Sequence, residues 1–155
     1  MGIYSFGYWG WGSRVPELRR RFLKHNQNTR GRGILWVDIR IRRNVRAKGF
    51  NGDNPERLLG KCNYVWLPDF GNEDILSGGT GVKIRNYQAG FHQLCEAVNR
   101  AKKANADLIL FCACPNVSEC HRNNVMRWLK KRRISGAKVY GEFPAPILPS
   151  SCERV

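Results

Sequence analysis

The sequence predicts a single three-layer α/β domain, Rossmann-like, with a largely parallel sheet of about five strands. Three observations carry that prediction. Short apolar runs alternate along the chain with longer segments of helical spacing. Two of the runs, ILWVDI at 34–39 and LILFC at 108–112, are apolar on both faces, as strands covered by helices on either side must be. Residues able to do chemistry then follow those runs directly, where open α/β sheets bind ligands.

Residues 3–9 (IYSFGYW) alternate loosely and are rich in aromatics, which predicts a first strand. Gly7, Gly10 and Gly12 follow, interleaved with Tyr8, Trp9 and Trp11. A glycine-rich turn there lets a phosphate or a base approach the backbone, although the spacing is not that of a dinucleotide fingerprint. The equally open reading is a turn whose aromatics pack on the core. Residues 13–25 read as a helix with Ser13 as cap, Pro16 in its first turn, and Val15, Leu18 and Phe22 on one face. Residues 27–33 look like a polar linker to the second strand at 34–39, which ends in Asp38 and Arg40.

The stretch 40–53 is a basic loop carrying Arg40, Arg42, Arg43, Arg46 and Lys48. A short helix at 55–59 and a third strand at 64–67 precede SGGTG at 77–81, expected to be a mobile loop and a candidate lid. A longer helix runs from Asn86 or Tyr87 to about Ala104, with Phe91, Leu94, Cys95, Val98 and Ala101 at helical spacing. The fourth strand, 108–112, leads into a loop and a helix predicted to start near Ser118, with Val125 and Leu129 on one face. KVYGEF at 138–143 is the fifth strand. The domain is therefore expected over 3–143, with a proline-containing tail over 144–155.

The chain has 155 residues and 42% hydrophobic content, enough for one domain with a real core. No apolar run approaches the length of a membrane span, and the start lacks the charged region and cleavage site of a signal peptide. The sequence thus reads as a soluble cytoplasmic protein in which the six cysteines are reduced or bind metal. Net charge is +15, from 27 Lys and Arg against 12 Asp and Glu. Between Arg14 and Lys48 there are twelve basic residues and two acidic ones. Such an excess points to a nucleic acid or nucleotide partner, or else to a merely solubilising surface.

Chemistry concentrates in DLILFCACPNVSECHRNNVMRW, residues 107–128. Strand and helix there flank Cys112, Cys114, Cys120, His121 and Arg122. With these residues in hand, the chain resembles the domain-of-unknown-function 488 family. The likeness rests on IYSFG at the start, WVDIR with Asp38 and Arg40, YVWLPDFGN at 64–72, and above all LFCACPNVSECHR at 110–122. It runs from Ile3 to about Phe143. Where this chain has Cys114, the family pattern has an acidic residue, and the Gly10–Gly12 turn and the dense arginines of 40–48 also look individual. The resemblance implies a compact α/β fold with a Cys-His-Arg site, and it names no reaction.

Three chemistries fit the loop. A metal could use Cys112, Cys114, Cys120 and His121, whose donor types suit zinc. The spacing argues against it, because Cys-x-Cys followed by an adjacent Cys-His lacks the usual gaps and neighbours on a helix splay by about 100°. No metal and no other cofactor is therefore expected. A thiol-dependent enzyme could use Cys120, activated in the first helical turn beside His121 and Arg122. The preferred expectation is a phosphate-holding pocket that binds a nucleotide or nucleic acid and supports hydrolysis or base or sugar transfer. In it Arg40, Arg122, Gly7, Arg42, Arg43 and Trp9 would contact the ligand, and Asp38, Cys112, Cys120 and His121 would supply chemistry. A non-catalytic nucleic-acid-binding module is the alternative. The structural counter-reading has His121 and Arg122 pairing with Asp38 to hold the sheet together.

Overall fold

The computed structural model describes residues 1–143. The predicted tail, 144–155, lies outside the described residues. Five parallel strands form one sheet in the order β3-β2-β4-β1-β5, with β1 at Gly2–Gly7, β2 at Gly33–Asp38, β3 at Tyr64–Trp66, β4 at Ala106–Cys112 and β5 at Lys138–Glu142. Four α-helices connect them: α1 at Val15–Arg30, α2 at Asn54–Leu59, α3 at Tyr87–Lys103 and α4 at His121–Lys131.

Side-chain parity along the strands divides the interior into two layers. On one face Leu35, Val37, Leu108 and Leu110 pack against Leu94 and Val98 of α3 and Val125 and Leu129 of α4. On the other, Tyr4, Phe6, Trp36, Ile109 and Phe111 pack against Leu18 and Phe22 of α1 and Leu59 of α2. The central strand β4 is buried over its whole length, which is why its sequence shows no alternation.

Two element ends differ from expectation by three residues or more. Helix α1 continues to Arg30: exposed Gln27 and Asn28 extend its solvent face, while buried Asn26 turns inward and donates its Nδ2 to the Gly33 carbonyl at 3.2 Å. It stops only at Gly31, whose left-handed conformation lets its N–H reach the carbonyls of Asn26 and Gln27. Helix α4 begins at His121 rather than near Ser118. Asn116 Oδ1 accepts from both the backbone N–H and the hydroxyl of Ser118, so these residues close a turn of their own and Ser118 does not cap the helix. The 77–81 segment is exposed except at half-buried Gly79, and it is cross-linked by Gly81 N–H donating to Asp74 Oδ2 at 2.7 Å and Asn72 Nδ2 to the Gly81 carbonyl at 2.8 Å.

The strand order fixes where a site can form. The chain leaves β1 through α1 on one face and leaves β4 through α4 on the other, although β1 and β4 are neighbours. Their carboxyl ends, Gly7 and Cys112, therefore flank the topological switch point of the sheet.

Candidate functional site

At that switch point β4 delivers Cys112 to the α3/α4 face, fully buried. The loop returns through half-buried Cys114 to Cys120, which is the extended N-cap of α4 with φ −108° and ψ 138°. Because Cys120 is not yet helical, its side chain and that of His121 do not splay apart as helix neighbours would. The Cys120 sulfur lies 2.9 Å from that of Cys112 and 3.8 Å from His121 Nδ1. Donor atoms of Cys112, Cys114, Cys120 and His121 all lie within 4.8 Å of one another. This gathering corrects the spacing argument made from the sequence.

Two further contacts orient the cluster. His121 Nε2 donates to the Ile39 carbonyl at 3.1 Å, so the end of β2 fixes the ring and turns Nδ1 toward the sulfurs. Arg122 is fully buried behind them. Its Nη1 donates to the Cys114 carbonyl at 2.6 Å and to the Cys112 sulfur at 3.3 Å, and stands 3.7 Å from the Cys120 sulfur. Its Nη2 donates to Glu142 Oε1 on β5 at 2.9 Å. Gly7 is required beside it, since a Cβ there would stand 2.5 Å from Arg122 Nη1.

The thiols are electrostatically unequal. Burial pushes the Cys112 thiol up, and hydrogen bonding to its neighbouring thiols adds to the rise. Hydrogen bonds from Cys112, Cys120 and His121 hold the Cys114 thiol well below its ordinary value. Burial works against a charged His121, but its hydrogen bonds to Cys114 and Cys120 prevail and raise it to about 9. The centre thus favours one sulfur anion, at Cys114, facing a charged His121.

Asp38 and Arg40 form a separate constellation. Asp38 Oδ1 accepts from Arg40 Nε at 2.8 Å and from its backbone N–H at 3.0 Å, while Oδ2 accepts from Arg40 Nη2 at 2.5 Å and the Tyr64 hydroxyl at 2.7 Å. Arg40 Nη1 donates to the Phe50 carbonyl at 2.8 Å and the Tyr8 hydroxyl at 3.1 Å. Both residues are buried. The expected single pocket therefore needs correction. Asp38 shares the face of Trp36 and Phe111, and Cys112 projects to the opposite one, so the two constellations share an edge of the sheet and meet through Ile39 and His121. Asp38 pairs with Arg40, and Arg122 with Glu142, rather than with each other.

The remaining expected ligand groups lie on the surface of that same edge. Trp9 is 58% exposed, whereas Trp11 is buried under Arg14 and Arg21. Arg42, Arg46 and Lys48 are exposed. Arg43 is held by Asp53 at 3.1 Å and lies over Tyr64 and Trp66. The basic loop docks on the turn after β1 through Gly49 N–H donating to the Gly12 carbonyl at 2.6 Å. Cys120, the expected nucleophile, is 2% exposed. Glu142, and the roles of the Tyr8 and Tyr64 hydroxyls as partners of Arg40 and Asp38, escaped the sequence reading, because a lone acid or tyrosine carries no spacing signal.

Fold and site together define a three-layer α/β protein with a Cys-His-Arg centre at its switch point. A family described as "Domain of unknown function DUF488" matches residues 19–129, and the chain belongs to it. The matched span takes in Asp38, Arg40 and the whole of 110–122, and is shorter at both ends than the likeness read from the sequence. No curated protein and no solved structure matches. Among the described residues, no helix is long and apolar enough to cross a membrane.

Proposed function

We propose that the chain binds nucleic acid across the carboxyl edge of its sheet, with exposed Arg42, Arg46 and Lys48 on phosphates and Trp9 stacked on an unpaired base. The observation that carries this reading is the docking of the basic loop on the turn after β1, which sets those cations and an exposed indole on one edge. The net charge of +15 supports it, since neutralised phosphates release counterions and favour association. Arg40 and Arg122 have no part in it, being committed to Asp38, Glu142 and the cysteine centre. Exposed indole on a basic surface favours single strands over duplexes.

Filter binding of single- and double-stranded DNA and RNA across a salt series tests the reading. Affinity should fall steeply with salt. Replacing Arg42, Arg46 and Lys48 together by Ala should flatten the logarithmic slope by about 2, at roughly 0.7 per phosphate contact on a single strand. No binding to any of these at low salt, or an unchanged slope in the triple variant, overturns it.

A further inference from the structure

We propose that Cys112, Cys114, Cys120 and His121 Nδ1 bind a zinc ion in a closed tetrahedral site. The inference goes beyond nucleic-acid binding and rests on other residues. Three thiolates and an imidazole are a structural zinc set, and the four donor atoms already lie within 4.8 Å of one another. They come from three places: the end of β4, the loop behind it, and the start of α4. A metal would therefore staple the 113–119 loop between strand and helix.

The surroundings argue for a ligand rather than for chance packing. A metal-bound histidine characteristically donates its other N–H to a carbonyl or carboxylate, which fixes tautomer and ring orientation. His121 does this, with Nε2 on the Ile39 carbonyl at 3.1 Å and Nδ1 toward the Cys120 sulfur. Charge also balances. Three thiolates against a divalent cation leave one negative charge, and the buried Arg122 guanidinium, 3.3 Å from the Cys112 sulfur, supplies one positive charge. Half-buried Cys114 is the ligand on the solvent side, by which an ion enters. Zinc–sulfur bonds of about 2.3 Å set tetrahedral sulfurs about 3.8 Å apart. Seating the ion therefore opens the Cys112–Cys120 pair from its 2.9 Å separation. The donors bind as thiolates and neutral imidazole, so thiol protons leave to solvent and no electrons move.

The test uses the full chain without a histidine tag, produced with zinc in the medium and purified under reductant. Elemental analysis should give about one zinc per chain. Replacing zinc by cobalt should produce the visible absorption of tetrahedral cobalt–thiolate coordination. Cys112, Cys114 and Cys120 should resist alkylation until a strong chelator is added, and Cys114→Ser should weaken retention at least tenfold. Exposed Cys62 serves as control: Cys62→Ser should keep the full zinc content. Zinc below about a tenth of an equivalent with no cobalt spectrum on reconstitution overturns the proposal. So does a zinc content that Cys114→Ser and Cys120→Ser together leave unchanged. Loss of nucleic-acid binding would leave these readouts untouched, so the two proposals fail separately.

Discussion

Gly7 lies directly against Arg122: a Cβ at position 7 would stand 2.5 Å from Nη1 and well inside contact of the Cys114 carbonyl oxygen. The guanidinium cannot swing aside, because Glu142, the Cys114 carbonyl and two sulfurs hold it in a fully buried position. Gly7→Ala should therefore cost about 1–3 kcal/mol, the usual range for overpacking. Urea unfolding of the two proteins measures it, and an unchanged midpoint would show that the junction yields.

Arg40 should matter to stability and not to ligand affinity. Its guanidinium makes five hydrogen bonds to Asp38, Tyr8 and the Phe50 carbonyl. Arg40→Ala orphans a buried carboxylate and should cost about 3–5 kcal/mol. Arg42→Ala, on the exposed neighbour, should stay within about 0.5 kcal/mol while weakening nucleic-acid binding. Thermal melts and filter binding on the same two variants give the comparison. A reversed pattern would return Arg40 to the ligand.

Trp9→Ala should lower affinity for single strands by about 1–3 kcal/mol and leave duplex affinity nearly unchanged. Its exposure of 58% implies little effect on the melting temperature. Equal losses on single strands and duplexes would exclude stacking.

The acid limb of stability should depend on Glu17. Hydrogen bonds from Arg21 and then Arg14 lower its pKa below the ordinary 4.5. A lowered folded value contributes stability above 4.5 that is lost as pH falls through the lowered pKa. Wild type should therefore lose more stability than Glu17→Gln on acidification through that range. Parallel pH curves would show that the two ion pairs are screened.

Much of this fold was legible in the sequence, because short doubly apolar runs such as 108–112 have few other solutions. The Cys-His-Arg loop was legible as a place where chemistry gathers. Its geometry was not. Whether Cys120 and His121 splay apart depends on where α4 starts, and that was decided by Asn116 capturing Ser118. The relation of Asp38 to Cys112 was equally hidden. Each lies at the carboxyl end of its strand, but Asp38 registers with Phe111, one residue short of Cys112, and one residue reverses the face. Glu142 gave no signal, since its partner is 20 residues away and nothing in KVYGEF marks it.

The first strand has to wait for its partner. Its first residue is fixed by a hydrogen bond from Gly2 to Asp107, across 105 residues of sequence, and Gly7 closes on Cys112 at the same separation. The carbonyl that orients His121 comes from Ile39, 82 residues earlier. Ring closures this long slow folding, because chain entropy is lost before the contacts form. During synthesis β1 emerges first and stays unpaired until β4 follows. The Cys-His-Arg centre thus depends on contacts that close only after most of the domain has been made. In a chain stalled or truncated before β4, β1 is an unpaired aromatic-rich strand, a feature that favours aggregation.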